Sequence, residues 1–198
     1  MIRSLLLAAL LCFSAPLPAQ PDPDPASIQV LLETSQGRIT LAVEVERAPV
    51  TAANFLRYVD EGRLDGGAFY RAMRVGEGSG LVQGGAEHRR RLPPVAHEPT
   101  TRTGLSHVDG AVSMARAAPG SADADFFIIA GDAMTGLDAG PASGGDRLGF
   151  AVFGRVVEGM DVVRRILAAP TSPTEGEGVM RGQMLAPRIA IRSARRAE

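Results

Sequence analysis

Residues 69–85 of the 198-residue chain read FYRAMRVGEGSGLVQGG, in which an arginine follows two aromatic residues and precedes a glycine-rich segment. The apolar residues 68–70 predict a short strand that delivers Arg71, and a glycine-rich loop then leads to a second short strand at residues 81–83. A guanidinium is always charged and carries five donors in a fixed plane. At the edge of an apolar pocket, Arg71 would aim a hydrogen bond at whatever the pocket holds, whereas most arginines are simply solvated. This stretch alone leaves both interpretations open.

Three further stretches favour the interpretation that Arg71 binds a ligand. Residues 113–116 read SMAR, residues 125–129 read DFFII, and residues 150–163 read FAVFGRVVEGMDVV. In this order, together with FYR and QGG, they resemble the cyclophilin family of peptidyl-prolyl cis-trans isomerases over about residues 28–191. The resemblance implies a mainly β fold, a closed eight-stranded antiparallel barrel capped by two α-helices, and an enzyme that isomerises the peptide bond before proline.

Length and composition are those of one globular domain, which we place at residues 28–198. The chain is 45% hydrophobic and 22% charged, and its 23 glycines suit a loop-rich β protein better than a helix bundle. Periodicity predicts helices at residues 49–61 and 160–168. It predicts strands at residues 28–34, 38–45, 68–72, 81–83, 111–114, 126–129, 151–156 and 189–193. These patterns permit a barrel or a sandwich, and the family resemblance selects the barrel.

The first nineteen residues have the pattern of a secretory signal peptide. Arg3 precedes an apolar run at residues 5–13, and Ala19 offers a small residue for cleavage. The run is far shorter than the ~20 residues of a membrane span. A lipoprotein signal is the competing interpretation, but Cys12 lies inside the apolar run. We therefore expect an exported, periplasmic protein without cysteine, in which residues 20–27 form an extended proline-rich leader.

Charge and metal-ligand patterns exclude several classes of partner. The formal net charge is −1, and the basic run at residues 89–91 is interpreted as a solvated loop, so no nucleic-acid surface is expected. His88, His97 and His107 lack the spacing of a metal site, and no cofactor or metal is expected. The expected partners are unfolded or flexible polypeptides that contain X-Pro bonds, and the protein is expected to act as a monomer without a membrane span.

Rotation about an X-Pro bond needs no nucleophile, metal or acid–base pair. The barrier of ~20 kcal/mol comes from amide conjugation, which is lost in the twisted state as the proline nitrogen regains a lone pair. A donor aimed at that nitrogen stabilises the twisted state over either planar one. One preorganised donor in a dry site contributes ~3–4 kcal/mol, and each ~1.4 kcal/mol is a factor of ten in rate.

The family resemblance assigns these roles to particular residues. It implies that Arg71 donates to the proline nitrogen and that Gln83 orients Arg71 and the substrate backbone. The residues expected to contact substrate are Tyr70, Leu81, Ala115, Arg116, Asp125, Phe127 and Phe150. Leu81 and Phe127 would line the proline pocket, whereas alternation along the strand sends Phe126 into the core.

Several positions depart from the family pattern. Tyr70 stands where a His is usual, and Gly80 and Gly136 replace aromatic residues. Asp125 replaces a neutral glutamine, and because a dry, unpaired charge is costly, we expect it to pair with Arg116 or Arg71 or to favour a basic substrate. Phe150 lies near a position that is His in many members. These departures predict weaker binding of cyclosporin-type ligands.

Two functions therefore remain in view. The first is a prolyl isomerase that assists the folding of exported proteins. The alternative is a non-catalytic proline-peptide binding or chaperone module on the same fold, which the departures at Gly80, Asp125 and Gly136 motivate and the retained Arg71 and Gln83 oppose. A third class, an unrelated small-ligand barrel, would require every motif match to be accidental. The sequence leaves open the client proteins and the residue preferred before proline.

Overall fold

The protein is described by a computed structural model, which covers residues 27–141, 143 and 146–197. The predicted signal peptide and all but the last residue of the predicted leader lie outside the described residues. That last residue, Ser27, is already the first residue of a strand.

Nine strands and three helices make up the described part of the chain. The strands are β1 Ser27–Thr34, β2 Gly37–Glu44, β3 Ala68–Gly76, β4 Ser79–Gly85, β5 Ala111–Met114, β6 Phe126–Ala130, β7 Ala151–Glu158, β8 Thr171–Ser172 and β9 Met184–Arg196. The helices are α1 Pro49–Asp60, the single turn α2 Thr100–Thr103, and α3 Met160–Ala168. Among the described residues, none of the helices has the length and apolar character needed to cross a lipid bilayer.

The strands close into an antiparallel barrel. Their order is β1-β2-β7-β5-β6-β4-β3-β9, and β1 pairs with β9 to join the two ends, so the barrel has eight strands. The two-residue β8 adds to the free side of β9. Closure leaves the eight barrel strands paired on both sides, which removes exposed sheet edges. The predicted fold class is confirmed.

The two long helices pack against the barrel through one apolar face each. Helix α1 can begin with proline, because a backbone N–H in the first turn would have no partner within the helix. On the inner face of α1, Phe55 and Tyr58 are buried. In α3, Val163 and Ile166 are fully buried. Both helices match their predicted positions within one residue. The single turn α2 is an element that the sequence did not predict, because four residues are too few for a periodic pattern.

The predicted strands at residues 68–72, 81–83 and 189–193 were too short. The predicted glycine-rich loop is largely strand, since β3 runs to Gly76 and β4 begins at Ser79, which leaves a two-residue turn. Strand β9 covers 13 residues instead of five, because barrel closure pairs it with both β1 and β3. Tertiary pairing supplied the order that local propensity alone did not indicate.

Alternation along the central strands separates two apolar clusters. Val82, Val112 and Ile128 belong to the main core, together with Phe126 and Phe153. Their sequence neighbours on the opposite face, among them Leu81, Ala111, Phe127 and Ile129, form a second and smaller cluster under loop residues. Since neighbouring strand residues face opposite sides, the second cluster lies on the outer surface of the barrel.

Candidate active site

The candidate catalytic residues lie in one row across four adjacent strands. The register pairs Arg71 of β3 with Gln83 of β4, Gln83 with Phe127 of β6, and Phe127 with Ser113 of β5. Directly paired residues project from the same face of a sheet. The row therefore brings Arg71, Gln83 and Phe127 together on one face of the sheet.

Arg71 is held by acceptors on two sides. Its Nε donates to Oε1 of Gln183 at 2.8 Å, and its Nη1 donates to Oε1 of Gln83 at 2.9 Å. Its Nη2 lies 3.5 Å from the Sδ of Met73, a weak acceptor. Burial lowers the pKa of Arg71 below its ordinary value. The guanidinium remains charged at neutral pH, and two of its five N–H groups stay available to a ligand.

Gln83 continues the chain of hydrogen bonds toward Tyr70. Its Nε2 donates to the Tyr70 hydroxyl at 2.7 Å, and that hydroxyl donates to Oδ2 of Asp125 at 3.0 Å. Burial raises the pKa of Tyr70 well above its ordinary value, and the charge of Asp125 and the hydrogen bond to it act in the same direction. The phenol therefore stays protonated at neutral pH and remains a donor.

Asp125 is paired with Arg91, and the expectation of a partnership with Arg116 or Arg71 was wrong. Nη2 of Arg91 lies 2.8 Å from both oxygens of Asp125, and its Nη1 donates to Asp123 at 2.7 Å. Burial acts to lower the pKa of Arg91, but the two carboxylates outweigh it and raise the pKa. The charge of Asp125 is thus neither dry nor unpaired.

The basic run at residues 89–91 is only partly a solvated loop. Arg89 is exposed, whereas Arg90 donates to the carbonyl oxygens of Gly62 and Asp65 and Arg91 reaches the site. The prediction for the run was therefore wrong at two of its three positions. The sequence could not place these side chains, because their partners come from other elements.

The residues predicted to line the proline pocket belong to one apolar cluster beside Arg71, and Met73 joins this cluster to the guanidinium. Within the cluster, the ring of Phe127 packs edge-on against Phe150 at 5.4 Å between centroids. Leu81 is buried in the same cluster, and Leu137 and Met73 pack against it. Phe126, the strand neighbour of Phe127, instead packs on Phe55 and Phe69 inside the barrel. The predicted separation of Phe126 from Phe127 is confirmed.

Gly80 cannot carry the aromatic side chain that the family pattern places there. Its φ is +155°, and a Cβ at this position would lie 2.0 Å from the carbonyl oxygen of Met73 on the paired strand. The close approach of β3 and β4 therefore requires glycine. Met73, which packs against the pocket cluster, supplies apolar surface from the same hairpin.

Arg116 faces the loop that follows it and not the guanidinium of Arg71. It makes two hydrogen bonds to Asp146 and two to the carbonyl oxygen of Gly149, and its Cζ lies 5.2 Å from the centre of the Phe150 ring. The hydrogen bond from Arg116 lowers the pKa of Asp146 to about 2. The side chain of Arg116 thus fixes one wall of the pocket, and its backbone contact with substrate stays a prediction.

Behind the pocket lies a buried Ser–His–Asp chain. The ring of His107 stacks on Phe127, its Nδ1 lies 2.6 Å from Asp138, and its Nε2 lies 3.0 Å from the Ser113 hydroxyl. The order matches that of a hydrolase triad, but Ser113 and His107 are completely buried, so no substrate carbonyl can reach the hydroxyl. The chain instead packs behind Phe127, which gives His107 a structural role.

A cleft of about 330 Å³ opens beside Gln83 and Tyr70. Tyr70, Gln83, Ala115 and Met180 line it, together with the charged groups of Arg91, Arg116, Asp123 and Asp125. It brings Ala115 and Arg116 to the same opening as Gln83, and their contact with an extended substrate stays a prediction. Among the described residues, no three potential metal ligands of the His, Cys, Asp or Glu type gather in one place.

Sequence reasoning missed Gln183 and Met180. Both lie in the loop between β8 and β9, and they are brought to the site by the pairing of β9 with β3 and by the hydrogen bond from the Ala72 N–H to the Gln183 carbonyl oxygen. A polar residue just before a closing strand carries no distinctive signal. Gln183 could have been placed beside Arg71 only if the pairing register of β9 with β3 had been known.

Comparison with known proteins agrees with this geometry. The family model for cyclophilin-type peptidyl-prolyl cis-trans isomerases matches residues 29–194. Peptidyl-prolyl cis-trans isomerase A of Dickeya dadantii is 38% identical over 151 residues, which are 73% of this chain and 74% of that protein. Peptidyl-prolyl cis-trans isomerase B of Escherichia coli is 34% identical over 145 residues, or 72% of this chain and 85% of that protein.

Among solved structures, a cyclophilin-type isomerase of Cryptosporidium parvum has the same fold. It superposes with a TM-score of 0.67 over 87% of this chain and 98% of its own, at 17% sequence identity. An eight-stranded barrel, an arginine beside an apolar cluster and a family match across nearly the whole described chain define one class of protein. The chain belongs to the cyclophilin-type peptidyl-prolyl cis-trans isomerase family, and the resemblance inferred from the sequence is confirmed.

Proposed function

We propose that the protein accelerates rotation about X-Pro bonds in flexible polypeptides, with Arg71 as the donor to the proline nitrogen. The observation that carries this proposal is the pair of glutamine oxygens that hold Arg71 beside an apolar cluster. The proline ring would rest on Phe127 while the chain on the other side of the bond turns. The relatives compared above are named for this activity.

The energetic requirement is within reach of one arginine. The two glutamines fix the guanidinium plane in advance, so little reorganisation is needed when the nitrogen lone pair develops. The twisted state gains a charged hydrogen bond that neither planar state can make. A contribution of ~3–4 kcal/mol corresponds to roughly 10²–10³-fold in rate.

The test compares wild type with Arg71→Ala on a short Ala-Pro-Phe-type peptide. Exchange between the cis and trans forms is measured by NMR, and peptide binding is measured by titration. We expect Arg71→Ala to lose about 100-fold or more in exchange rate while it keeps most of its peptide affinity. Arg57→Ala, on the exposed face of α1, is the control that keeps full activity. A folded wild type that binds the peptide without accelerating exchange would instead be a binding module.

The cellular role we propose is assistance to the folding of exported proteins. The support is the sequence pattern of residues 1–19, a charged start, an apolar run and a small residue at Ala19. Expression of the full chain in a Gram-negative host, followed by fractionation and mass measurement, tests it. A periplasmic product that begins at Gln20 is expected, and an intact cytoplasmic chain would contradict the proposal.

A further inference from the structure

Four side chains form a continuous hydrogen-bonded line that ends at Arg71. The line runs from Asp125 through the Tyr70 hydroxyl and the Gln83 amide to the guanidinium, with lengths of 3.0, 2.7 and 2.9 Å. We propose that Asp125 and Tyr70 act as a positioning relay, which sets the orientation of the Gln83 amide and thereby the plane of Arg71. This inference rests on the proposed function, because it assigns the relay to the arginine that acts on the proline bond.

The direction of every hydrogen bond in the relay is fixed from both ends. An ionised carboxylate only accepts, so the Tyr70 hydroxyl must donate to Asp125. Its lone pairs then face Gln83, which must present its NH₂ group there. Arg71 only donates, so it needs the Gln83 oxygen. Both requirements are met by one amide orientation, and the flipped amide would place N–H against N–H at Arg71.

The start of the relay is itself anchored. Arg91 holds both oxygens of Asp125 and is held in turn by Asp123. The side chain of Asp125 lies so close to β4 that a Cβ on Gly85 would come within 2.2 Å of its Oδ1. Glycine at position 85 therefore makes room for the carboxylate. A fixed anion at this end prevents the hydroxyl from turning toward Gln83 as a donor.

The relay gives Tyr70 and Asp125 a role different from substrate contact. The two residues expected under the proline ring, Phe127 and Leu81, belong to the apolar cluster, which shares no residue with the relay. Loosening the relay would therefore lower the fraction of Arg71 in the productive orientation and leave the pocket intact. A change of this kind lowers kcat and leaves KM nearly constant, whereas a lost substrate contact raises KM.

The first test removes single links without removing bulk. Tyr70→Phe deletes only the hydroxyl, and Asp125→Asn replaces the anion by an amide of the same shape. Both variants are expected to lose about tenfold in kcat with KM changed less than twofold, as befits one charge-assisted link. Tyr58→Phe is a matched control, because Tyr58 is the other of the chain's two tyrosines and its hydroxyl accepts a hydrogen bond from the Leu92 N–H in the core. It should keep wild-type kcat.

A second test asks whether the relay works through Gln83. In a Gln83→Ala background, which cuts the line between Tyr70 and Arg71, Tyr70→Phe should cause no further loss of kcat. A merely structural effect of Tyr70→Phe would persist in this background. Circular dichroism and thermal unfolding confirm that each variant is folded before kinetics are compared.

The outcomes separate the relay from the proposed function. A large loss in Arg71→Ala together with unchanged kcat in Tyr70→Phe and Asp125→Asn overturns the relay and leaves the function intact. A raised KM at constant kcat overturns it too and returns both residues to substrate binding. Full activity in Arg71→Ala overturns the donor role and the relay together.

Discussion

The Nε of Arg71 lies 2.8 Å from Oε1 of Gln183, a residue 112 positions further along the chain. Gln183 is itself fixed by two hydrogen bonds. Its Nε2 donates to the Val179 carbonyl oxygen at 2.8 Å, and its backbone N–H donates to the Met180 carbonyl oxygen. The loop before β9 thus provides the second of the two oxygens that hold the guanidinium. The catalytic geometry depends on barrel closure as well as on the β3–β4 hairpin.

Removal of this second oxygen should lower activity without unfolding the barrel. Gln183→Ala leaves Arg71 with Gln83 as its one strong acceptor, so its side chain samples more rotamers and kcat should fall roughly tenfold. Exchange in a proline peptide measures the loss. Gln36→Ala, in the exposed turn between β1 and β2, is the matched control and should retain full activity. Equal activities for the two variants would show that the hydrogen bond from Arg71 to Gln183 does not contribute to catalysis.

Substitution of Phe127 should weaken peptide binding, whereas substitution of its neighbour Phe126 should lower the stability of the fold. Phe127→Leu removes a ring from the pocket floor and should raise KM by about tenfold, since aromatic packing contributes ~0.5–1.5 kcal/mol beyond burial. Phe126→Leu removes a ring from the barrel core and should lower the free energy of unfolding by ~1–3 kcal/mol at unchanged KM. Peptide titration and denaturant unfolding of both variants give the comparison. Reversed effects would contradict the assignment of the two faces.

The fold was largely predictable because strand alternation and motif order carry information about it. The order of FYR, QGG, SMAR and FFI identified the family, and the family supplied a barrel that periodicity could not distinguish from a sandwich. Strand ends at residues 76 and 184 were missed, since glycine-rich and proline-containing segments have low strand propensity and are ordered here by pairing.

The site was predictable where one motif contains both partners and unpredictable where the partners are distant. Arg71 and Gln83 lie in the same hairpin, so their neighbourhood could be read from the sequence. Asp125 and Arg91 come from separate loops, and no local sequence pattern predicts their ion pair. The assignment of catalytic and substrate-binding roles to these residues stays a prediction that the variants above examine.

The close approach of β3 and β4 at Gly80 should make this position intolerant of any side chain. Gly80→Ala places a Cβ against the Met73 carbonyl oxygen at a φ that non-glycine residues avoid, so the free energy of unfolding should fall by ~2–4 kcal/mol. Gly76→Ala in the same hairpin has no heavy atom within 4 Å and should cost much less. Denaturant unfolding of the two variants measures the difference. A stable, more active Gly80→Phe variant would contradict the conclusion that the close approach of β3 and β4 requires glycine at position 80.

Acidification should weaken the support of the pocket through His107. Burial lowers the pKa of His107 below its ordinary value, although Asp138 acts against it. The unfolded chain therefore takes up this proton at a higher pH than the folded protein does. The stability that neutral His107 provides is present above the ordinary histidine pKa of ~6.5 and is lost as the pH falls from there through the lower, folded-state pKa.

Denaturant unfolding between pH 7.5 and 5 measures the size of this loss. One proton can change the free energy of unfolding by at most about 1.4 kcal/mol per pH unit, and the contribution of His107 should make the wild type less stable below pH 6.5 within that limit. His107→Gln should be less stable at pH 7.5 and should have a flatter profile, because the titrating group is gone. His88→Gln, at an exposed position, should keep the wild-type slope. A wild-type profile that is flat from pH 7 to pH 5 would show that the stacked imidazole accepts its proton without cost to the fold.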